Sequence, residues 1–307
     1  MISSTLSTLF TLASMVCAVP TSPILTDQAA NGTSTYEYLF TFGDSYSQTG
    51  FDIKGAKPSV SNPIGNPTFP GYTTSGGNNW LTYLSKLLTP SLLTYNLASG
   101  GATTSATLVK PYTSTVLSLI DQITLFTTNL GTSPRPFYAP WTSSNALFGI
   151  WIGVNDVGNA WSAGNWTALS REIVDVYMQQ VERLYVSGAR NLVFLTVPPI
   201  ELTPLVAKQG NTTQAAEGKA VVWYNELLGD AVEKWRVGKM GGGEVKTWVV
   251  GTAPAFIEAV KNPVKYGAKD ANCFNADGVS CLWFNDYHPG QAIQKLVSQA
   301  VGAAVGL

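Results

Sequence analysis

Short apolar runs and longer periodic stretches take turns along the chain. Tyr38-Leu39-Phe40-Thr41-Phe42 is a nearly continuous apolar run that stops at Gly43-Asp44-Ser45. A run of that length, closed by a glycine and polar residues, predicts a buried strand. Residues 92–98, 146–153, 191–197 and 245–250 have the same character. Residues 146–153 are apolar on both faces, as a central parallel strand should be. Between the runs the period lengthens. Ile173, Val174, Tyr177, Val181, Leu184 and Tyr185 share one face of a helix over 167–187, with Thr167 as its cap and Gly188 as its stop. Further helices are predicted over 79–88, 114–130, 214–236 and 254–261, and from Pro289 to about 305. Strand–helix alternation of this kind predicts an α/β fold: a doubly wound parallel sheet of about five strands with right-handed crossovers, flanked by helices.

Residues 52–78 break the pattern. They are rich in proline and glycine and predict a long irregular segment, which in a compact domain is usually functional. Phe69 and Tyr72 lie in it, and Trp80 follows it.

Composition narrows the class. The chain has 307 residues, 45% hydrophobic and 12% charged, with a formal net charge of −1. That is enough apolar sequence for a sizeable core. No basic stripe suits nucleic acid. Residues 1–18 have the form of a secretory signal, with an apolar stretch over 6–16 and small residues at Val16-Cys17-Ala18. A membrane span needs about 20 apolar residues, and neither this run nor any other reaches that. The expectation is a secreted, monomeric protein with one domain over 19–307. Cys273 and Cys281 then form an even pair in an oxidising compartment. Bonded, they stiffen a loop that ends seven residues before His288. Asn31-Gly32-Thr33, Asn165-Trp166-Thr167 and Asn211-Thr212-Thr213 are glycosylation sequons.

Candidate chemistry gathers in four blocks. Gly43-Asp44-Ser45 ends the first strand. Ser99-Gly100-Gly101-Ala102 ends the second, Val154-Asn155-Asp156 ends the third, and Asn285-Asp286-Tyr287-His288-Pro289 holds the only histidine. This ordered set resembles the GDSL, or SGNH, hydrolase superfamily. There Ser, Gly, Asn and His come from four separated blocks in this order. The stretches FTFGDSYSQTGFD and NPTFPGYTTSGGNNW are most similar to secreted fungal acetylesterases of carbohydrate esterase family sixteen. The resemblance implies a flavodoxin-like three-layer fold.

It also implies roles. Ser45 would be the nucleophile and His288 its base, since a serine hydroxyl is weak until an imidazole takes its proton. Backbone N–H groups of Ser45 and Gly101 and the amide of Asn155 would hold the oxyanion. The third member is open between two neighbours. Asn285 has the family's spacing, three residues before the histidine. Asp286 has the charge that would stabilise an imidazolium, and the reading leans to Asp286. Asp44 and Asp156 read as structural acids that hold the serine and asparagine loops.

Trp80 and Tyr287 are candidate platforms for sugar rings, with Phe69, Tyr72 and Trp151 also near the motifs in sequence. A long acyl pocket would need an extended apolar lid helix, and none is predicted, which favours acetyl. The expected function is removal of acetyl groups from hemicellulose-derived oligosaccharides, with neither metal nor organic cofactor. The alternatives are a GDSL-type lipase or phospholipase and a catalytically inactive carbohydrate-binding glycoprotein.

Overall fold

The computed structural model describes residues 36–87, 92–241 and 244–307. The expected signal at 1–18, Cys17 and the Asn31 sequon lie outside them.

Five strands form the sheet: β1 (Tyr38–Gly43), β2 (Leu93–Asn96), β3 (Ala146–Trp151), β4 (Asn191–Leu195) and β5 (Lys246–Val250). Their order is β2-β1-β3-β4-β5, and every pairing is parallel. The strand order reverses at β1, so the carboxyl ends of β1, β2 and β3 border the crevice where open α/β sheets bind ligands.

Alternation along β1 sorts the core into two layers. Leu39 points to one face; Phe40 and Phe42 point to the other. On the Leu39 face pack α1 (Trp80–Leu87), α7 (Ala253–Lys261) and α8 (Gln291–Val305). On the other pack α2 (Leu119–Asn129), α4 (Trp166–Val186) and α6 (Asn211–Gly238). Phe40, Tyr95, Phe126, Trp141 and Phe148 interlock there with ring centroids 5.1–5.9 Å apart where they pair directly. Such pairs contribute about 0.5–1.5 kcal/mol each beyond their burial.

Some boundaries differ from expectation. α2 starts at Leu119, where Ser118 and Asp121 form a capping box that fixes the first turn. α4 starts at Trp166 with Asn165 at the cap, so Thr167 lies inside the helix. Two short helices follow strand ends where loop was expected: α3 (Val154–Ala160) and α5 (Pro204–Ala207). No helix of the described residues is long and apolar enough to cross a membrane.

Candidate active site

β1 ends where Gly43 presses against β3. A Cβ on Gly43 would stand 2.3 Å from the Trp151 carbonyl oxygen, so only glycine fits. Gln122 of α2 bonds both backbone groups of Gly43, at 2.8 Å each. The chain then turns. Asp44 Oδ1 accepts from Tyr46 N–H at 2.9 Å, and the Asp44 carbonyl accepts from Ser47 and Gln48 N–H. This turn lifts Ser45 out of the sheet while leaving it only 8% exposed. Asn79 and Asn96 grip the Ser47 carbonyl from behind, at 2.9 and 2.7 Å. Thr74, from the irregular segment, donates to the Ser45 carbonyl at 2.6 Å. The long loop thus closes on the serine.

The histidine arrives from the opposite end of the chain. A Cys273–Cys281 disulfide braces its loop. Phe284 N–H donates to the His288 carbonyl, Gly290 N–H to the Leu282 carbonyl, and Tyr46 Oη to the Tyr287 carbonyl at 2.6 Å. His288 Nε2 stands 2.8 Å from Ser45 Oγ.

Asn285, not Asp286, meets the other ring nitrogen. Its Oδ1 lies 2.9 Å from His288 Nδ1 and also accepts from the N–H groups of Tyr287 and His288, at 2.9 and 2.8 Å. The two backbone donors fix which end of the amide points inward. They also fix the tautomer: Nδ1 carries the hydrogen, and Nε2 is left as acceptor for the serine hydroxyl. The side chain folds back over its own turn, as asparagine and aspartate do at turn starts, and position 285 therefore reaches the ring. Asp286 is half-buried and faces elsewhere. Among the described residues only its carbonyl is engaged, by Leu205 N–H at 2.8 Å, and its charge acts on the imidazole through space.

Gly101 and Asn155 come from the ends of β2 and β3. Gly101 has φ +79°, and a Cβ there would stand 2.4 Å from Tyr112 Cβ, so the turn requires glycine. Asn155 Nδ2 donates one hydrogen to the Ala102 carbonyl at 2.8 Å, which leaves its second hydrogen for a ligand. Among the described residues, the N–H groups of Ser45 and Gly101 have no acceptor. Three donors from the ends of β1, β2 and β3 are therefore left free.

Trp80 does not line this site. It is 1% exposed, packs edge-on to Trp151 and donates its indole N–H to Ser47 Oγ at 2.9 Å. As the first residue of an amphipathic helix it faces the sheet. Trp151 is likewise buried, Phe69 packs on the core, and Tyr72 is exposed. Tyr287 stays at the site: its ring stands edge-on to His288 at 5.8 Å.

Burial dominates the electrostatics. Desolvation pulls the His288 pKa down to about 4, partly opposed by the Asp286 charge. It pushes Asp44, Asp156 and Glu217 up to about 7. Asp156 accepts from Thr104 N–H and Oγ1, whereas Asp44 Oδ2 meets no donor. Between about pH 4 and 7 the folded state holds protons on these three carboxyls that the unfolded chain has released, which makes stability fall as pH rises. His288 acts in the opposite sense between its folded and unfolded values, because the folded ring stays neutral where the unfolded one is charged. Three carboxyls outweigh one imidazole. The melting temperature should be several degrees higher at pH 5 than at pH 8 in a calorimetric scan, and a higher value at pH 8 would contradict this sign.

A serine hydroxyl on a neutral imidazole, with three free donors from the ends of β1, β2 and β3, can form and break acyl bonds. Residues 39–301 match the family described as GDSL-like Lipase/Acylhydrolase. The chain belongs to that family. It is a carboxylic ester hydrolase. It is 53% identical over 270 residues to an acetylesterase from Thermothelomyces thermophilus, covering 87% of this chain and 88% of that one. An acetylesterase from Hypocrea jecorina is 22% identical, covering 86% and 87%. Among solved structures, a catalytic mutant of an acetylxylan esterase from Geobacillus stearothermophilus superposes with a TM-score of 0.52 at 16% identity, covering 89% of this chain and 96% of that one. At that identity the likeness speaks for the GDSL hydrolase fold alone.

Several residues that build the site carry no motif. Asn96, Gln122 and Gln294 hold the serine turn through buried hydrogen bonds. Their signal in the sequence is a polar residue inside an otherwise apolar face, as with Gln122 in α2 and Gln294 in α8.

Proposed function

We propose that this protein is a secreted acetylesterase that removes acetyl groups from carbohydrate by acyl transfer through Ser45. The observation that carries the reading is the chain of short contacts from Ser45 Oγ to His288 Nε2, and from His288 Nδ1 to Asn285 Oδ1, at 2.8 and 2.9 Å. The names of the acetylesterase and acetylxylan esterase relatives support the acyl group and the sugar. The fungal acetylesterase relative and the signal-like residues 1–18 support export. The exposed Asn165 and Asn211 suit glycan attachment.

Ser45 Oγ attacks the acetyl carbonyl as His288 Nε2 takes the hydroxyl proton. The negative oxygen that forms is held by the N–H groups of Ser45 and Gly101 and the free amide hydrogen of Asn155. The C–O bond to the sugar then breaks, and His288 returns the proton to the sugar oxygen. Water, deprotonated by the same nitrogen, attacks the acetyl-Ser45 ester. Collapse releases acetate and restores the serine. Every proton is carried by one imidazole, and no other group is required.

Asn155→Ala should reduce kcat by about 10²–10³, because one oxyanion donor supplies about 2.7–4 kcal/mol. KM should change little, since the ground-state carbonyl needs that donor less than the transition state does. Steady-state kinetics on a small acetate ester reads this split. Comparing acetate with octanoate esters on purified protein tests the acyl preference, and faster octanoate turnover would replace the acetylesterase reading with a lipase one.

A further inference from the structure

A groove of about 870 Å³ lies between the first turns of α4 and α6, outside the candidate active site. Three tryptophans dominate it: Trp161, Trp166 and Trp223. Trp166 is 9% exposed, with Tyr224 stacked on it at 6.5 Å, while Trp161 and Trp223 are partly buried and pack against the core. Trp223 is fixed in place. Its indole N–H donates to Ser170 Oγ at 3.0 Å, and the Arg171 guanidinium stands 5.0 Å from its ring centre. Polar tips of Lys219 and Asn211 belong to the same lining.

The groove shares two elements with the active site. Helix α3 carries Asn155 in its first turn and is capped at its C-terminus by Trp161. Six residues of helix span about 9 Å. Helix α6 presents Glu217 on its buried side, and burial first, then the Glu217 charge, pushes the Tyr287 hydroxyl pKa up. Trp223 and Lys219, on the same helix, face the groove. Glu217 and the groove residues thus lie on different faces of one helix, whose diameter is about 10–12 Å with side chains.

We propose that this groove binds the sugar chain of the substrate beyond the acetylated unit, an inference that rests on the carbohydrate reading above. Flat, rigid indoles match the apolar C–H faces of pyranose rings, and an aromatic face offers large contact area at low entropic cost. Lys219 belongs to the same lining, where it can reach ring hydroxyls. A chain held there and at Ser45 would be positioned by two contacts, the second made at high effective concentration.

The test compares a small aryl acetate with acetylated xylooligosaccharides of about six sugars. Trp223→Ala should raise KM about tenfold for the oligosaccharides, leaving kcat and all parameters for the aryl acetate unchanged. Ala215→Arg guards against misfolding of the first variant. Position 215 is exposed on α6, arginine suits a helix, and the side chain would fill the groove. The same KM rise is expected. Deacetylated xylooligosaccharide should quench wild-type tryptophan fluorescence, and Trp223→Ala should weaken the quenching. Wild-type protein that hydrolyses the aryl acetate but no acetylated oligosaccharide would overturn the carbohydrate reading itself. Wild-type turnover of both, with neither variant altered, would overturn the groove alone. A glycan found on Asn211 that fills the groove while oligosaccharide KM is unaffected by its removal would also overturn it. So would variants that lose only octanoate turnover, which would make the groove an acyl site.

Discussion

Ser45→Ala should abolish acetate-ester hydrolysis, lowering kcat by about 10⁴-fold or more, with the melting temperature essentially unchanged. The size follows from the mechanism: removing the nucleophile leaves only the oxyanion donors and substrate binding, and in serine hydrolases those retain a small residue of the rate. The stability expectation follows from the contacts. Ser45 Oγ bonds His288 Nε2 and supports no other side chain, whereas the turn itself is held by Asp44, Asn79, Asn96 and Thr74. Alanine removes one hydroxyl from that turn and leaves the rest. A folded Ser45→Ala protein that keeps more than a hundredth of wild-type kcat would place the nucleophile elsewhere. A mass shift of one acetyl on Ser45, trapped by rapid quench of the wild-type enzyme, is the positive counterpart.

Three of the motif blocks were legible as polar or glycine breaks just after apolar strand runs, and the fourth because it holds the only histidine of the sequence. The sheet was legible for the same reason: β3 and β4 are apolar on both faces and short. Helix α3 was not. It has seven residues, contains Gly158 and buries only Val154, Asp156 and Val157, so no apolar period develops. Trp80 was misplaced as a sugar platform because nearness in sequence to the serine block says nothing about which way a helix turns. Its side chain points to Gly149 in the sheet, where an added Cβ would stand 3.1 Å from the indole. The buried polar residues behind the serine turn were missed because each is single and its partner lies tens of residues away, as with Gln294 and the Tyr46 carbonyl.

Asn285→Ala should be nearly as damaging as loss of the serine, reducing kcat by about 10²–10⁴, whereas Asp286→Asn should change it by no more than about threefold. Sequence chemistry favoured Asp286, since an anion stabilises an imidazolium better than an amide does. Geometry decides otherwise. Asn285 Oδ1 accepts three hydrogens at once, from Nδ1 of the ring and from two backbone N–H groups. Alanine removes the acceptor that sets the tautomer and frees the turn that carries the ring. Asparagine at 286 removes a charge that reaches His288 through space. The pH profile separates the two roles further. Hydrolysis needs neutral imidazole, so kcat/KM should rise with pH through a midpoint near the depressed His288 value of about 4. Asp286→Asn removes a negative charge that raises that value, and the midpoint should move down. Asn285→Asp puts a carboxylate at hydrogen-bond distance from Nδ1, and the midpoint should move up by about 1–3 units. A severe Asp286→Asn variant beside a mild Asn285→Ala one would mean that the loop rearranges with substrate bound and that the aspartate orients the ring after all.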